Sequence, residues 1–435
     1  MIKMNLWQWV ICLGALGPLV YYVLATYCTW DYFRKVRKIP APDGTFTPPV
    51  SILKPVRGVD REAYENFASF CRLDYPEYEI VFAVSDRDDQ VIPLIEKLQQ
   101  EFPERQIRLL TAAAHVGANS KVNKLCQLAR EAQHDVLVIS DSDARVEPDY
   151  LLEMVAPLQN SAVGLVTSLF RGITGGNFFS VLDALGVPAE SAPSALVARK
   201  LEGNMKFAFG WSLATTKRHL DEIGGFEGIA DHHSDDFELG NRIAAKGYRV
   251  ELMRKWIWMV FPRESCHHFL QHELRWSIGL RNVRRAGYLG LGLTFGLPWA
   301  ALAAWAAPTK PIAASYLLAY LVLRLTLAWT SGVWGIGDPV TRRNLWMIPI
   351  RDLVNFGVWV AGFFFNTIHW RGLVFRVKQG MLIPLPNVPL QKAPLANVAL
   401  SNIPLRKIPL AQIPLGKVND PRSKNLVPST SLFRR

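Results

Sequence analysis

The segment HDVLVISDSD, residues 134–143, carries the strongest indication of the fold in this sequence. Its middle, residues 136–139, is continuously apolar and mostly β-branched, which predicts a strand buried on both faces of a parallel sheet. The stretch ends in two aspartates, and ligands of open α/β sheets bind beyond the carboxyl ends of the strands. Asp141 and Asp143 therefore predict a site for a hard divalent cation held against a phosphate, although an acidic loop or helix cap has the same composition.

Short apolar runs alternate with helical patterns on both sides of this stretch. Strands are expected at residues 49–55, 79–84, 106–110, 162–168 and 248–253. Alternating strands and helices predict an α/β fold with a parallel sheet. The second of these strands is also followed by an acid, Asp86, and two strand ends with aspartates on one rim predict a nucleotide site. Taken alone, Asp86 is an ordinary turn residue.

The composition favours a membrane protein with one large domain. The chain has 435 residues, of which 50% are hydrophobic, and its net charge is +12. Because many basic residues flank apolar segments, the charge favours membrane flanks over a nucleic-acid partner. The 5 cysteines are scattered without a CxxC pair, which predicts free thiols in a reducing compartment and no zinc site.

The first 38 residues are expected to form a membrane anchor. Residues 5–30 are apolar and uncharged, long enough to cross a bilayer of about 30 Å, and show no cleavage site for a signal peptidase. Basic residues follow this run, namely Arg34, Lys35, Arg37 and Lys38. The positive-inside rule then places the domain at residues 39–285 in the cytoplasm.

Residues 286–370 are expected to be a membrane or interfacial region, followed by a repeat tail at 371–435. Two spans are predicted at about 286–307 and 312–334, and a third segment at 344–368 is interpreted as an interfacial turn followed by a short span at 353–368. A re-entrant course for one of these three segments is left open. Three full spans would place the tail outside, whereas its basic flank favours the inside. Six of the seven pentapeptides from Ile383 to Lys417 have Pro second, which predicts an extended or disordered tail.

Three further motifs place polar side chains where a site would need them. The segment at 117–123, GANSKVN, opens a predicted helix. Asp235 and Asp236 open another, although acids in a first helical turn also simply complement the helix dipole. HELRW, residues 272–276, precedes the membrane spans, where an Arg-Trp pair is also common at interfaces.

Together these motifs resemble the GT-A glycosyltransferases, and most closely the ceramide glucosyltransferase family, glycosyltransferase family 21, which includes bacterial hopanoid-biosynthesis glycosyltransferases. The family pattern is three aspartate motifs followed by (Q/R)xxRW. Lys54-Pro55 and the 117–123 segment are supporting matches, and the resemblance covers roughly residues 1–370. One departure is clear, because His272 stands at the Q/R position and Gln271 lies one residue early.

The resemblance implies an activity as well as a fold. It implies a GT-A α/β domain with transmembrane helices on both sides, which moves a hexose from a UDP-sugar to a lipid alcohol such as ceramide or a hopanoid. Asp86 would contact the uridine, and Mg²⁺ or Mn²⁺ would bind Asp141 and Asp143. Asp236 would be the general base of an inverting displacement, with Asp235 as the fallback. The remaining donor-site expectations are Asn119, Lys121, His272, Arg275 and Trp276.

Two other functions stay open at this point. A processive polysaccharide synthase has a fuller, Gln-rich version of the Arg-Trp motif and usually more membrane spans. A catalytically silent membrane scaffold is the other, and the joint presence of Asp86, Asp141 and Asp236 speaks against it. A labelled nucleotide sugar separates the three, because the products are a single-sugar lipid, a polymer or nothing.

Overall fold

A computed structural model describes residues 4–370 and 372–385. The strands in chain order are β1 (Val50–Pro55), β2 (Tyr78–Ala83), β3 (Gln106–Leu110), β4 (Val136–Ser140), β5 (Ala144–Arg145), β6 (Val163–Thr174), β7 (Ser212–Thr216), β8 (Arg249–Phe261), β9 (Thr367–Trp370), β10 (Leu373–Lys378) and β11 (Met381–Pro384). The α-helices are α1 (Leu6–Gly14), α2 (Leu16–Val36), α3 (Ala63–Cys71), α4 (Ile92–Glu101), α5 (Ser120–Glu131), α6 (Tyr150–Val155), α7 (Phe178–Ala184), α8 (Ala192–Glu202), α9 (Lys217–Asp221), α10 (Asp235–Ala245), α11 (Cys266–Val283), α12 (Arg285–Gly290), α13 (Gly296–Ala306), α14 (Lys310–Ala328), α15 (Pro339–Arg343) and α16 (Ile348–Phe364). A π-helical segment, Val187–Ser191, precedes α8, and another, Trp329–Ile336, extends α14.

The large sheet has the strand order β3-β2-β1-β4-β7-β6-β8-β5. β1 to β4 pair in parallel, and every residue of β1, β2 and β4 is buried, as expected for strands covered by helices on both faces. β7 runs antiparallel between β4 and β6, so the second half of the sheet is mixed. The parallel arrangement predicted from the sequence therefore holds for the half that contains residues 136–139.

β6 and β8 are much longer than the strands predicted at 162–168 and 248–253. They pair in parallel over their whole length, with register shifts near residues 164 and 168. The extra residues of β8 include Trp256, Ile257 and Val260, which are aromatic or β-branched and favour strands. This long ribbon ends beside the segment that leads into α11.

The apolar helices flank this domain in the sequence. Three helices in the described residues are long and apolar enough to cross a membrane, Leu6–Val36, Lys310–Ile336 and Leu345–Phe364. A fourth candidate is the pair Arg285–Leu293 and Gly296–Ala306, which is bent by 43°. The spans predicted at 5–30 and 312–334 thus have helical counterparts, and the one predicted at 286–307 is a bent pair.

The chain on both flanks of α16 contacts the same α/β domain. Before α16, the Asp338 carboxylate accepts a hydrogen bond from the Gly172 amide in β6 at 3.0 Å. After α16, the His233 amide, just before α10, donates to the Gly380 carbonyl at 2.8 Å. A helix whose two flanks return to one domain does not carry the chain across a membrane, and this favours the re-entrant alternative for the segment at 344–368.

The beginning of the tail is folded. We expected an extended or disordered chain from residue 371, but β9, β10 and β11 form an antiparallel sheet that buries Phe375, Val377 and Leu382 beside Ile278 of α11. Pro384 of the first repeat lies in the edge strand β11, a position where proline is tolerated. The rest of the pentapeptide repeat lies outside the described residues.

Candidate active site

The carboxyl end of β4 carries Asp141, the first of the candidate site residues. Lys54 of β1 is fully buried beneath it and donates to the Ser140 hydroxyl at 3.3 Å and to the Asp141 carbonyl at 3.0 Å. Burial lowers the pKa of Lys54 to about 7, while Asp141 and Asp143 act in the opposite direction. The Lys54 amine thus binds the backbone at the end of β4, while the Asp141 side chain is directed towards Lys121.

Lys121 joins three parts of the chain at this point. Its Nζ lies 2.7 Å from Asp141 Oδ1 and 3.4 Å from Asp235 Oδ2, and it approaches the Gly210 carbonyl at 3.5 Å. Burial alone would lower the pKa of Lys121, but Asp141 and Asp235 raise it above its ordinary value. The end of β4, the start of α5 and the start of α10 therefore meet around one ammonium.

Asp236 lies beside this ion pair in a different environment. Its Oδ1 accepts a hydrogen bond from the Phe237 amide at 2.8 Å. The pKa of Asp236 is raised to about 7, first by burial and then by the negative charge of Asp235, while Lys121 acts in the opposite direction. A side chain at Gly210 would place its Cβ 2.8 Å from Asp236 Oδ2, so the glycine leaves room for this carboxyl.

Asn119 has its side chain occupied within the protein. It caps the start of α5, where its Oδ1 accepts from the amides of Lys121 and Val122 at 3.0 and 3.3 Å. Its Nδ2 donates to the His232 carbonyl at 2.8 Å. These contacts make Asn119 a positioning residue that ties Lys121 to the segment before α10, while the predicted contact with a donor molecule stays a prediction.

Asp86 lies on the same rim without touching the other acids. Asp86 follows β2, and β1 lies between β2 and β4. The ends of β2 and β4 are therefore two strand spacings apart, about 10 Å in total. Asp86 is exposed, and within residues 4–370 and 372–385 its carboxylate makes no hydrogen bond or ion pair. The structure therefore brings Asp141, Asp235 and Asp236 together and leaves Asp86 two strands away on the same edge of the sheet.

α11 carries the HELRW motif along a second side of the cleft. His272 Nδ1 lies 3.0 Å from Asp183 Oδ2, and the Trp276 indole donates to His272 Nε2 at 3.0 Å. Because Nε2 accepts in this arrangement, Nδ1 carries the hydrogen that Asp183 accepts. Burial lowers the pKa of His272, but Asp183 outweighs burial and raises it above its ordinary value.

The same face of α11 approaches the acids of α10. Gly279 lies so close to His233 that an added Cβ would be 2.7 Å from its Nδ1, and His233 directly precedes the segment Ser234-Asp235-Asp236. Burial, together with the positive charge of Arg275, lowers the pKa of His233 to about 4. Arg275 also lies 5.7 Å from the ring centroid of Trp370, so this arginine is held between α10 and the small sheet.

Sequence reasoning identified His272 but missed the acidic residues that surround it. Asp183, His272 and Glu273 offer ligand atoms within 4.8 Å of one another, although Glu273 is also paired with Arg351 at 3.2 Å. Glu264 lies nearby, and burial followed by Asp183 raises its pKa to about 7. Asp183 is 89 residues from His272, and no local pattern connects them.

Comparison with known proteins identifies the family to which the chain belongs. Residues 10–383 match the family described as Glycosyl transferase family 21, and the chain therefore belongs to glycosyltransferase family 21. Ceramide glucosyltransferase 3 of Caenorhabditis elegans is 23% identical over 382 residues, which cover 83% of this chain and 79% of the relative. Ceramide glucosyltransferase 1 of the same organism is 26% identical over 235 residues, or 54% of this chain and 49% of the relative.

A solved structure of a mannosyltransferase from Pyrobaculum calidifontis, in complex with GDP-Man and Mn²⁺, aligns with a TM-score of 0.45 at 20% identity. The alignment covers 80% of this chain and 99% of the other. The family predicted from the motifs is confirmed by the family match, and so is the α/β fold class of the GT-A type with apolar helices on both sides. The protein is a glycosyltransferase with several candidate membrane helices.

Proposed function

We propose that this protein moves a hexose from a UDP-sugar to a lipid alcohol such as ceramide or a hopanoid, with inversion at the anomeric carbon. The observation that carries the proposal is the cluster in which Lys121 lies 2.7 Å from Asp141 and 3.4 Å from Asp235, next to Asp236 with a pKa raised to about 7. A glycosyl transfer needs a cation to stabilise the departing diphosphate and a base to accept the proton of the attacking hydroxyl. Lys121 and Asp236 would supply these two groups.

Lys121 and Arg275 are suited to the donor side. When UDP leaves, negative charge increases on its diphosphate, and cations directed into the cleft stabilise that charge. Asp141 and Asp143 would hold Mg²⁺ or Mn²⁺, because two carboxylates one residue apart at a strand end are oxygen ligands of the kind these ions prefer. When bound, the ion would act as a Lewis acid on the diphosphate. Asp86 on the same edge of the sheet is the proposed uridine contact.

Asp236 is the proposed general base. It would accept the proton of the acceptor hydroxyl as that oxygen attacks the anomeric carbon, and a pKa near 7 suits this task at neutral pH. A single displacement turns an α-linked donor into a β-glycoside. Asp235 is less suited to the role because its carboxylate is paired with Lys121 at 3.4 Å.

His272 and Trp276 would close the cleft over the sugar. Their hydrogen bonds run from Asp183 through His272 to the Trp276 indole, which fixes the orientation of both rings. The indole is 48% exposed, so a ring face is available to a substrate. His272 replaces the Q/R of the family pattern and still makes two polar contacts at this position.

The lipid acceptor is proposed to arrive from the bilayer. α8 packs along the membrane helix α2, where the Tyr21 hydroxyl and Ser194 Oγ are 2.9 Å apart and Lys200 pairs with Asp31 at 3.0 Å. The domain thus contacts the anchor along one edge. The basic residues that follow α2 support a cytoplasmic location for the domain, where UDP-sugars are made.

The decisive experiment uses membranes that contain the full-length protein, radiolabelled UDP-glucose or UDP-GlcNAc, and ceramide or hopanoid acceptors, with products separated by thin-layer chromatography. A single-sugar lipid is expected with the wild type, and a polymer would indicate a polysaccharide synthase. Asp236→Asn should lower the rate about 10²- to 10⁴-fold, the usual contribution of a general base. No product from the wild type with any of these donors and acceptors would overturn the proposal.

A chelator provides the test of the metal. Removal of divalent ions should abolish transfer, and added Mn²⁺ or Mg²⁺ should restore it. Full turnover in the presence of the chelator would remove the role given to Asp141 and Asp143.

A further inference from the structure

A basic cavity lies where α11 ends, α12 begins and α16 meets the small sheet. Its volume is about 730 Å³, and four cationic side chains line it, Arg281, Arg285, Arg376 and Lys378. The described residues that line it include no aspartate or glutamate. A cavity with four positive charges and no acid of its own favours an anionic ligand.

The cavity is separate from the candidate active site. Arg281 follows His272 on α11 by nine residues, and an α-helix turns by about 100° and rises by 1.5 Å per residue. The two side chains therefore point to opposite faces of α11 and lie roughly 13 Å apart along it. A ligand in the cavity does not compete with a sugar donor for the cleft.

Three of the four cations are available to a ligand. Arg285, Arg376 and Lys378 are exposed, and none of them forms an ion pair within the part of the chain that the structure describes. Arg281 is different, because its guanidinium donates to the carbonyls of Gly362 and Phe365 at the end of α16. It fixes the wall of the cavity and adds its charge to the other three.

The rim of the cavity is apolar and faces away from the protein. Leu289, Phe364 and Phe365 line it and are exposed, and the Phe364 side chain reaches 77% exposure. Phe364 also ends a helix that is apolar enough for a membrane. Exposed aromatic residues beside cations are typical of the boundary between headgroups and acyl chains.

We propose that this cavity binds the phosphate group of an anionic phospholipid. Arg285, Arg376 and Lys378 would contact the phosphate, and the acyl chains would lie over the apolar rim. A free phosphate ion would satisfy the cations alone and leave the rim exposed, so the arrangement favours the lipid. Attraction between an anionic lipid and a basic side chain near the membrane surface strengthens binding about fivefold per residue.

The test measures binding of fluorescent phosphatidylglycerol to the purified full-length protein in phosphatidylcholine nanodiscs. The wild type should bind phosphatidylglycerol at least tenfold more tightly than phosphatidylcholine, and millimolar inorganic phosphate should not displace it. Displacement by phosphate would show that the cavity takes the free ion, and equal binding of the two lipids would overturn the site altogether.

Variants localise the binding. Arg376→Glu with Lys378→Glu should weaken phosphatidylglycerol binding more than tenfold, whereas Lys38→Glu, an exposed basic residue next to α2, should change it less than twofold. Equal loss in both would show general attraction to the membrane and overturn the site. If the charge reversals prevent folding of the small sheet, Arg285→Gln at the start of α12 provides an independent reduction of about fivefold. Asp236→Asn should bind the lipid like the wild type, which separates this proposal from the proposed catalysis.

Discussion

The two adjacent aspartates of α10 show how neighbouring residues with the same side chain acquire different chemistry. Asp235 is paired with Lys121, whereas Asp236 forms no ion pair of its own within the described residues and has a pKa raised to about 7, chiefly by burial and by Asp235 and against the opposing effect of Lys121. Two acids whose surroundings separate their proton affinities divide the roles between them. In this cleft one would fix the cation and the other would accept the proton.

The pH dependence of transfer should report this division. A general base acts when it is deprotonated, so the rate should rise with pH through about 7. Because the charge of Asp235 raises the pKa of Asp236, Asp235→Asn should move this rise to lower pH even if it lowers the maximum rate. The measurement is kcat/KM between pH 5 and 9, and an unchanged position of the rise would contradict the assignment of Asp236.

The stability of Asp236→Asn provides a control with a defined sign. The folded-state pKa of Asp236 is raised above the ordinary value of 3.8, so its contribution to stability is complete below about pH 4 and is lost as the pH rises through about 7. Asparagine stays neutral, so the variant should gain stability relative to the wild type between pH 4 and pH 8. Thermal unfolding at the two pH values checks this and shows that the inactive variant is folded.

Among the elements, α11 carries the one departure from the family pattern, His272 at the Q/R position. His272 accepts from Trp276 and lies against Asp183, and a glutamine has both an acceptor and a donor for the same two contacts. We therefore expect His272→Gln to retain activity within a few-fold and His272→Ala to lose most of it. Steady-state kinetics with varied donor should show that His272→Ala has a lower kcat and a higher KM for the UDP-sugar. Equal activity of the two variants would exclude His272 from the site.

Most strands of the large sheet could be predicted from the sequence, whereas the contacts between distant elements could not. β3 has the predicted bounds of 106–110, and the buried strand at 136–139 is found as β4, because their signals are local apolar patterns. The bridge from Asp141 through Lys121 to Asp235 joins two acids that are 94 positions apart in the sequence, and its existence depends on the tertiary fold. The aspartate motifs were recognisable only as a set, and Asp183 had no signal at all.

Arg351 and Asp352 are the only charged residues of α16, and the structure pairs both of them. Asp352 meets Arg324 of α14 at 2.9 Å, and Arg351 meets Glu190 at 3.1 Å. Asp352→Asn should destabilise the protein by about 3–5 kcal/mol, because it removes the carboxylate that accepts from the buried Arg324 guanidinium and leaves that cation with the more distant Glu190 carboxylate at 3.8 Å. The double variant Arg324→Leu with Asp352→Leu should recover most of that loss in thermal unfolding. Equal unfolding temperatures for wild type and Asp352→Asn would contradict a structural role for the pair.

At the scale of the whole molecule, the contacts of α16 determine on which side its two flanks lie. The chain before α16 is bound to Gly172 through Asp338, and the chain after it is bound to His233 through Gly380, so both flanks belong to the side of the α/β domain. The turn before α14, by contrast, lies at the end of α13, where the Gln8 side chain donates to the Ala306 carbonyl near the start of α1. The structure therefore predicts two crossings between the domain and residue 336, and none between residue 336 and the small sheet.

Cysteine labelling in sealed, right-side-out vesicles tests this arrangement. A membrane-impermeant maleimide should react with Lys310→Cys from outside, and should reach Arg343→Cys, Gln379→Cys and the native, exposed Cys266 only after the vesicles are opened. Arg343 and Gln379 lie on either side of α16, so they should behave alike whether or not the domain is cytoplasmic. If one of them is labelled from outside and the other is not, α16 crosses the membrane. The small sheet would then lie on the opposite side from the acids of α10, and its contact with His233 would have to be abandoned.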